Sequence, residues 1–207
     1  MSSVIDTINA AARKVPAWTL YILLCIPIPF LFYQAQTGGL GPEPINALER
    51  EIGELSLKLI ILGLAITPLR KYLKLNLLKF RRAIGVMAFV YVAVHLGIWV
   101  LLDMNLRWGQ MWADIWKRPY ITIGMAAFVL MIPLAVTSNN LSLRKLGGAA
   151  WRKLHKLVYL IAVLGGVHFI MVQKVWETEP MISLAVILAL LATRYVPTFK
   201  ARIARGI

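Results

Sequence analysis

Long apolar blocks separated by short charged connectors constrain the fold of this chain more than any other feature. Ala83 to Leu102 and Ile182 to Ala192 are apolar nearly all round, whereas a surface helix of a soluble domain keeps a polar face. Of the 207 residues 59% are hydrophobic, and blocks of this kind are helices that cross hydrocarbon. Six spans follow: roughly Ala17 to Tyr33, Ile52 to Leu69, Ala83 to Leu102, Tyr120 to Val136, Lys153 to Val172 and Met181 to Val196. Each is near the ~20 residues that cross a bilayer as a helix. The expectation is an all-α, polytopic membrane protein: a six-helix transmembrane bundle forming one domain over residues 1–207. No soluble domain, internal repeat or low-complexity tract is expected beside it.

Charge sets the expected orientation. The net charge is +14, which by itself would suit nucleic acid, but its distribution argues against that partner. Arg13 and Lys14, the basic run from Arg70 to Arg82, the run from Arg144 to Lys156, and Arg194, Lys200, Arg202 and Arg205 all fall on one side of the six spans. Only Arg50, Arg107, Lys117, Arg118 and Lys174 fall on the other, with Lys58 inside a span. Every acid except Asp6 lies on that second side or at its edge. The positive-inside rule then puts both termini in the cytoplasm. The N-terminal apolar run is bracketed by Pro16 and Gln34 and lacks a small-residue cleavage site, so it reads as a retained span. Cys25 is the only cysteine, which excludes an internal disulfide framework or a CxxC motif.

Local chemistry agrees with these spans. Pro119 suits the first position of the fourth helix, where its missing N–H costs nothing, and Thr137-Ser138-Asn139 marks that helix's exit. Pro27, Pro29, Pro68 and Pro133 imply kinks, which neighbouring helices tolerate in a bundle. Glu54 and Lys58 are spaced as an acid-first helical ion pair; Lys58 is either a lysine snorkelling at the membrane edge or part of a proton or quinone path.

The three histidines, His95, His155 and His168, all fall within spans. An ionisable side chain in hydrocarbon is costly and marks function by default. A single one would as readily make an interhelical hydrogen bond, but three of three favour a cofactor, and neutral imidazole is a good ligand for haem iron. Depth decides which of them pair. His95 lies thirteen residues beyond Arg82 and His168 fifteen beyond Lys153, or about 20 and about 22 Å from the basic edge. A bis-histidine site of His95 with His168 is therefore expected, nearer the periplasmic face.

His155 lies only roughly 3 Å inside the basic edge and has no histidine at its level. Arg81, fourteen residues before His95, returns to within about 40° of the same helical stripe. It is thus the group expected opposite His155, holding a haem propionate, crowding the sixth coordination position, or serving as an ordinary positive-inside residue; guanidinium binds carboxylates well and iron poorly. In an ideal helix His155 and His168 are about 140° out of line, so tilt, rotamers or distortion near Gly165-Gly166 must supply the difference.

A six-helix bundle with histidines on its third and fifth spans resembles the ferric reductase-like transmembrane superfamily, which includes the NADPH oxidases and holds two stacked haems between those helices. The chain departs from that pattern where Arg81 or its neighbour replaces the inner histidine of the third helix. With AFVYVAVH at 88–95, RPYITIGMAAF at 118–128, IPLAVTSN at 132–139 and WRKLHKLVY at 151–159, it is similar to the MsrQ (YedZ) family over essentially its whole length. The resemblance implies a multi-pass b-type haem protein of the bacterial inner membrane that binds one or two haems. Its electrons would go to a periplasmic, molybdopterin-containing MsrP-type reductase that repairs methionine sulfoxide. It also implies quinol as the electron source, FMN as a flavin cofactor, and a cytosolic flavin reductase as a second donor. As metal and cofactor residues it points to His95, His168, His155 and Arg81.

The residues themselves agree on one point: no Gly-rich dinucleotide fingerprint follows a strand, so electrons come from and go to something else. Two rivals are a transmembrane oxidoreductase that reduces ferric chelates or oxygen directly and, from another class, a proton-coupled transporter using the histidines as relays. Arg107, Lys117, Arg118 and Lys174 are candidates for outer propionates or for headgroup contacts. Trp99, Trp108, Trp112, Trp116 and Trp176 mark an interfacial belt, and the loop from Trp108 to Trp116 is the candidate docking surface for a partner. No residue is assigned to FMN or quinone.

Overall fold

The computed structural model describes residues 2–173, 175 and 177–194. These residues are mostly helical, with no strand among them. An amphipathic helix, α1 (Ser2–Lys14), precedes α2 (Thr19–Cys25) and α3 (Pro27–Thr37), which together make the first apolar segment. The break falls at Ile26, just before Pro27, whose ring cannot donate a main-chain hydrogen bond. Gly38 then ends α3 with φ +82°, the left-handed cap that glycine adopts without a Cβ clash.

α4 (Pro44–Leu73) and α5 (Arg81–Ile98) pack along each other, and a π-type turn at Trp99–Asp103 extends α5. The connection between them is held from outside by α1. Asn9 Nδ2 donates to the Lys74 carbonyl at 3.0 Å, and Asn9 Oδ1 accepts from the Asn76 N–H at 2.8 Å. α6 (Trp108–Lys117) leads into α7 (Pro119–Val136), which has Pro119 at its first position as expected. α8 (Asn140–Leu154), α9 (Leu157–Val172) and α10 (Thr178–Ala192) complete the bundle. Asn139 caps α8 by accepting from the Ser142 N–H at 2.8 Å.

Four helical segments are long and apolar enough to cross a membrane: 19–37, 44–73, 78–103 and 119–136. α8 and α9, bent by 43°, form a fifth if taken together, and α10 is a shorter apolar helix of 15 residues. The last positions of the expected sixth span, 195 and 196, lie outside the described residues, as do Lys174, Trp176, Lys200, Arg202 and Arg205. Large apolar side chains stay exposed on the outward faces, among them Ile22, Phe30, Leu62, Val129, Leu160 and Leu188. Water would make such a surface unstable and lipid does not, which makes this a multi-pass membrane protein.

The interior is apolar and closely packed. Ile52, Ile66, Ala162 and Ile187 are fully enclosed, with Leu48, Leu64, Tyr91 and Ile161 beside them. Tyr91, the largest buried side chain, donates its hydroxyl to the Leu24 carbonyl at 2.8 Å. That bond ties α5 to α2 and satisfies a polar atom that could find no water at this depth.

Two expectations change. The stretch from Trp108 to Trp116 is a helix, α6, because its tryptophans recur every four residues. They share one face, each 65–68% exposed, while Met111 and Asp114 are buried. Of tilt, rotamers or distortion near Gly165-Gly166 as ways to align His155 with His168, the last drops out, and the helix axis breaks at His155-Lys156, between α8 and α9. α9 runs unbroken through both glycines. A Cβ on Gly166 would stand 2.9 Å from Leu184 Cδ1, so this residue lets α10 come close.

Candidate functional site

His95 sits one turn before the end of α5, and His168 in the last turns of α9. Their rings stand edge-on to each other, with centroids 6.3 Å apart and planes at 83°. Each ring is anchored through its other nitrogen. His95 Nδ1 lies 2.9 Å from the Glu49 carbonyl oxygen, and His168 Nδ1 lies 2.7 Å from that of Tyr120. A carbonyl oxygen only accepts, so both Nδ1 atoms carry the proton and both Nε2 atoms keep a lone pair.

Glycine makes these anchors reachable. Gly53 lies one turn after Glu49 on α4, and a Cβ there would stand 3.0 Å from His95 Nδ1. Gly124 lies one turn after Tyr120 on α7, and a Cβ there would stand 2.9 Å from His168 Nδ1 and Cε1. The same device occurs twice: a carbonyl accepts the imidazole proton, and a glycine four residues later leaves room for the ring. Glycine inside a helix costs up to about 1 kcal/mol relative to alanine, and a close packing contact of this kind is the usual reason for one. Nothing in the sequence separates these two glycines from Gly97 or Gly85, which have open space around them.

This geometry fits an iron bound between the two rings. Two metal–imidazole bonds of about 2 Å, with about 1 Å from each nitrogen to its ring centre, put the centroids about 6 Å apart. The hydrogen bonds at Nδ1 are those that orient metal-bound histidines and raise their basicity.

The basic end of the bundle is built differently. His155 caps α8 and stands at the break before α9. Its ring stacks on Trp151 at 3.8 Å between centroids, and its Nε2 lies 3.1 Å from Thr137 Oγ1. Thr137 donates its own hydroxyl proton to the Pro133 carbonyl at 2.6 Å. It therefore accepts from His155, which puts the imidazole proton on Nε2. Trp151 Nε1 donates to the Thr137 carbonyl at 2.8 Å, so one residue holds both rings. A ligand bond through Nε2 would replace a hydrogen bond worth about 1 kcal/mol, a small cost, and a single imidazole here fits iron on that condition.

Arg81, at the first position of α5, is exposed and acts electrostatically on His155. Sequence reasoning missed Thr137 and Trp151 as partners of His155, and also Arg194. Arg194 follows α10, lies over the Tyr159 ring at 5.5 Å and is within electrostatic range of Arg81.

At the acidic end, Lys58 Nζ bridges Glu54 at 3.2 Å and Glu179 at 3.1 Å, while Arg50 pairs with Glu54 at 3.1 Å and with Glu177. The pair read from the sequence is thus half of a network joining α4 to the segment before α10 and to its first turn. Arg118 Nη1 donates to the Tyr120 hydroxyl at 3.0 Å, and Arg107 Nε to the Met104 carbonyl at 3.0 Å.

A family model described as "Ferric reductase like transmembrane component" matches residues 52–166. That range includes Arg81, His95 and His155 and ends two positions before His168. The chain is 43% identical over 179 residues to the protein-methionine-sulfoxide reductase heme-binding subunit MsrQ of Agrobacterium fabrum, covering 86% of this chain and 83% of that one. It is 47% identical over 169 residues to the MsrQ of Caulobacter vibrioides, covering 81% and 80%. The corresponding protein of Brucella ovis is 43% identical over 177 residues, covering 86% and 80%. No solved structure matches.

Proposed function

The chain belongs to the MsrQ family of ferric reductase-like transmembrane proteins, and from that premise we propose that it carries electrons through b-type haem to a methionine sulfoxide reductase. The observation that carries the reading is the His95–His168 pair, with rings 6.3 Å apart and both Nδ1 protons committed to main-chain carbonyls. A proton relay would need these imidazoles to exchange protons, and their anchors oppose that. Axial ligation needs two lone pairs that face each other.

Haem iron, when bound, supplies one-electron chemistry. The chain's own residues do the rest. His95 and His168 present Nε2, Glu49 and Tyr120 fix the rings through their carbonyls, and Gly53 and Gly124 leave the space. The apolar core around them lowers the local dielectric and excludes water. At the basic end His155 offers a second axial ligand beside Arg81.

In this reading the six spans run with both termini in the cytoplasm of a bacterial inner membrane, which puts the His95–His168 site near the periplasm. Electrons enter from quinol, with FMN or a cytosolic flavin reductase as a second route, and leave to a periplasmic molybdopterin reductase. The exposed tryptophan face of α6 lies on that outer side.

Reduced-minus-oxidised spectra with haem quantification test this on the wild type and three His→Ala variants. His95→Ala and His168→Ala are expected to abolish the same low-spin haem, and His155→Ala to spare it. A shared signal lost on His95→Ala and His155→Ala, with His168→Ala unaffected, would overturn the pairing. A folded, colourless wild type would overturn haem binding altogether.

A further inference from the structure

Among the described residues, the basic end of the bundle brings Arg81 and Arg194 within electrostatic range of each other with no acidic partner for either. Arg194 is held in a fixed position for a reason that begins at Pro68. Proline has no N–H, so the Leu64 carbonyl one turn earlier in α4 loses its helical donor. Arg194 Nη2 supplies the missing hydrogen bond at 2.7 Å. The guanidinium then lies over Tyr159, one turn along from His155. Its Nε is buried and has no partner among the described residues.

Among the described residues, the charged or titratable groups acting on Arg194 are Tyr159 and Arg81, the one acting on His155 is Arg81, and no carboxylate is among them. Two guanidiniums with nothing to neutralise them repel, and a buried N–H left unpaired costs about 1–3 kcal/mol. A carboxylate between them answers both deficits at once, because guanidinium is the side chain best matched to planar oxyanions.

We infer that Arg194, with Arg81, binds the carboxylates of a haem seated at His155, Arg194 from a position fixed by the carbonyl that Pro68 leaves free. This rests on the reading that His155 is an axial ligand. The buried Nε, the carbonyl anchor and the ring beneath make the half-buried Arg194 the rigid half of the site, whereas Arg81 is exposed.

Potentiometric titration of the purified, haem-loaded protein tests the proposal, with spectra resolving the two haems and flavin measured after acid release. Arg194→Gln and Arg81→Gln each remove a cation near the propionates, which favours the ferric form. Both are expected to lower the midpoint of the haem that His155→Ala removes. Arg194→Lys, which keeps the charge and loses the fork, is expected to fall between wild type and Arg194→Gln. The His95–His168 haem, unchanged in spectrum and midpoint, reports that each variant is folded. An unmoved midpoint in both glutamine variants, with two haems present, would overturn the proposal and leave the axial role of His155 standing. Loss of flavin with unchanged haem would overturn it in favour of a flavin phosphate. A wild type holding one haem, insensitive to His155→Ala, would overturn the proposal together with the reading beneath it.

Discussion

At the acidic end of the bundle, His95 and His168 give their Nδ1 protons to main-chain carbonyls, keep their Nε2 lone pairs and stand with ring centroids 6.3 Å apart. At the basic end, His155 gives its Nε2 proton to the Thr137 hydroxyl and stacks on Trp151. The same side chain is thus held in opposite tautomers at the two ends. The cause lies in what each neighbour can do. A carbonyl oxygen in the helix wall is an obligatory acceptor, and a glycine one turn on lets a ring reach it. A threonine whose proton is already spent on Pro133 accepts only at the nitrogen that faces it. In the proposed reading, the first arrangement would take a metal without losing a hydrogen bond, and the second would have to give one up.

The largest expected effect tests the acidic end. Gly124→Ala and Gly53→Ala place a methyl within 3.0 Å of an imidazole, and overpacking of this kind costs about 1–3 kcal/mol. Haem affinity at the His95–His168 site should fall roughly tenfold or more, with the low-spin spectrum perturbed and the His155 site untouched. Gly97→Ala, which has open space, is the control. If Gly124→Ala binds haem as the wild type does, the ring is not seated against that glycine.

A smaller effect tests the basic end. Thr137→Val removes the acceptor of His155 Nε2–H and is expected to tighten haem at His155 by up to about fivefold, the equivalent of one hydrogen bond of about 1 kcal/mol. Haem titration with the acidic-end site already filled measures it. Weaker binding instead would mean that Thr137 positions His155 for its ligand, and the contrast between the two ends would narrow.

The smallest effect concerns the ion network at the acidic end. Lys58 is about half exposed, and exposed pairs contribute about 0–1 kcal/mol. Lys58→Met should lower thermal stability by less than about 1 kcal/mol and leave both haem spectra unchanged. A shift in the His95–His168 spectrum would show that the network also holds α4, and with it the Glu49 carbonyl, in register.

Some of this was legible before any coordinates. The membrane class follows from apolar blocks, because a residue's transfer free energy is a local property that sums along the chain. The histidines stand out because an ionisable group in hydrocarbon needs a reason. Counting residues from the basic edge places His95 and His168 at one depth, because helical rise is constant. The tryptophan spacing of α6 was also on view, although the stretch reads as a loop when only its aromatic belt is considered.

Other features had no sequence signal. His95 meets Glu49 across 46 positions and His168 meets Tyr120 across 48; which carbonyl accepts which ring depends on how helices cross. The same holds for Arg194, which reaches Leu64 across 130 positions, although Pro68 announces that a carbonyl there needs a donor. The 43° bend at His155-Lys156, where tilt, rotamers or a distortion near Gly165-Gly166 are the open alternatives from sequence alone, sits where Trp151 and His155 both bond to Thr137. The sequence by itself determined the solvent of the fold and the shared level of His95 and His168, since composition and helical rise govern each of these locally. Tertiary structure alone decided which nitrogen of each histidine is free, because a proton's place depends on partners that only packing brings within 3 Å.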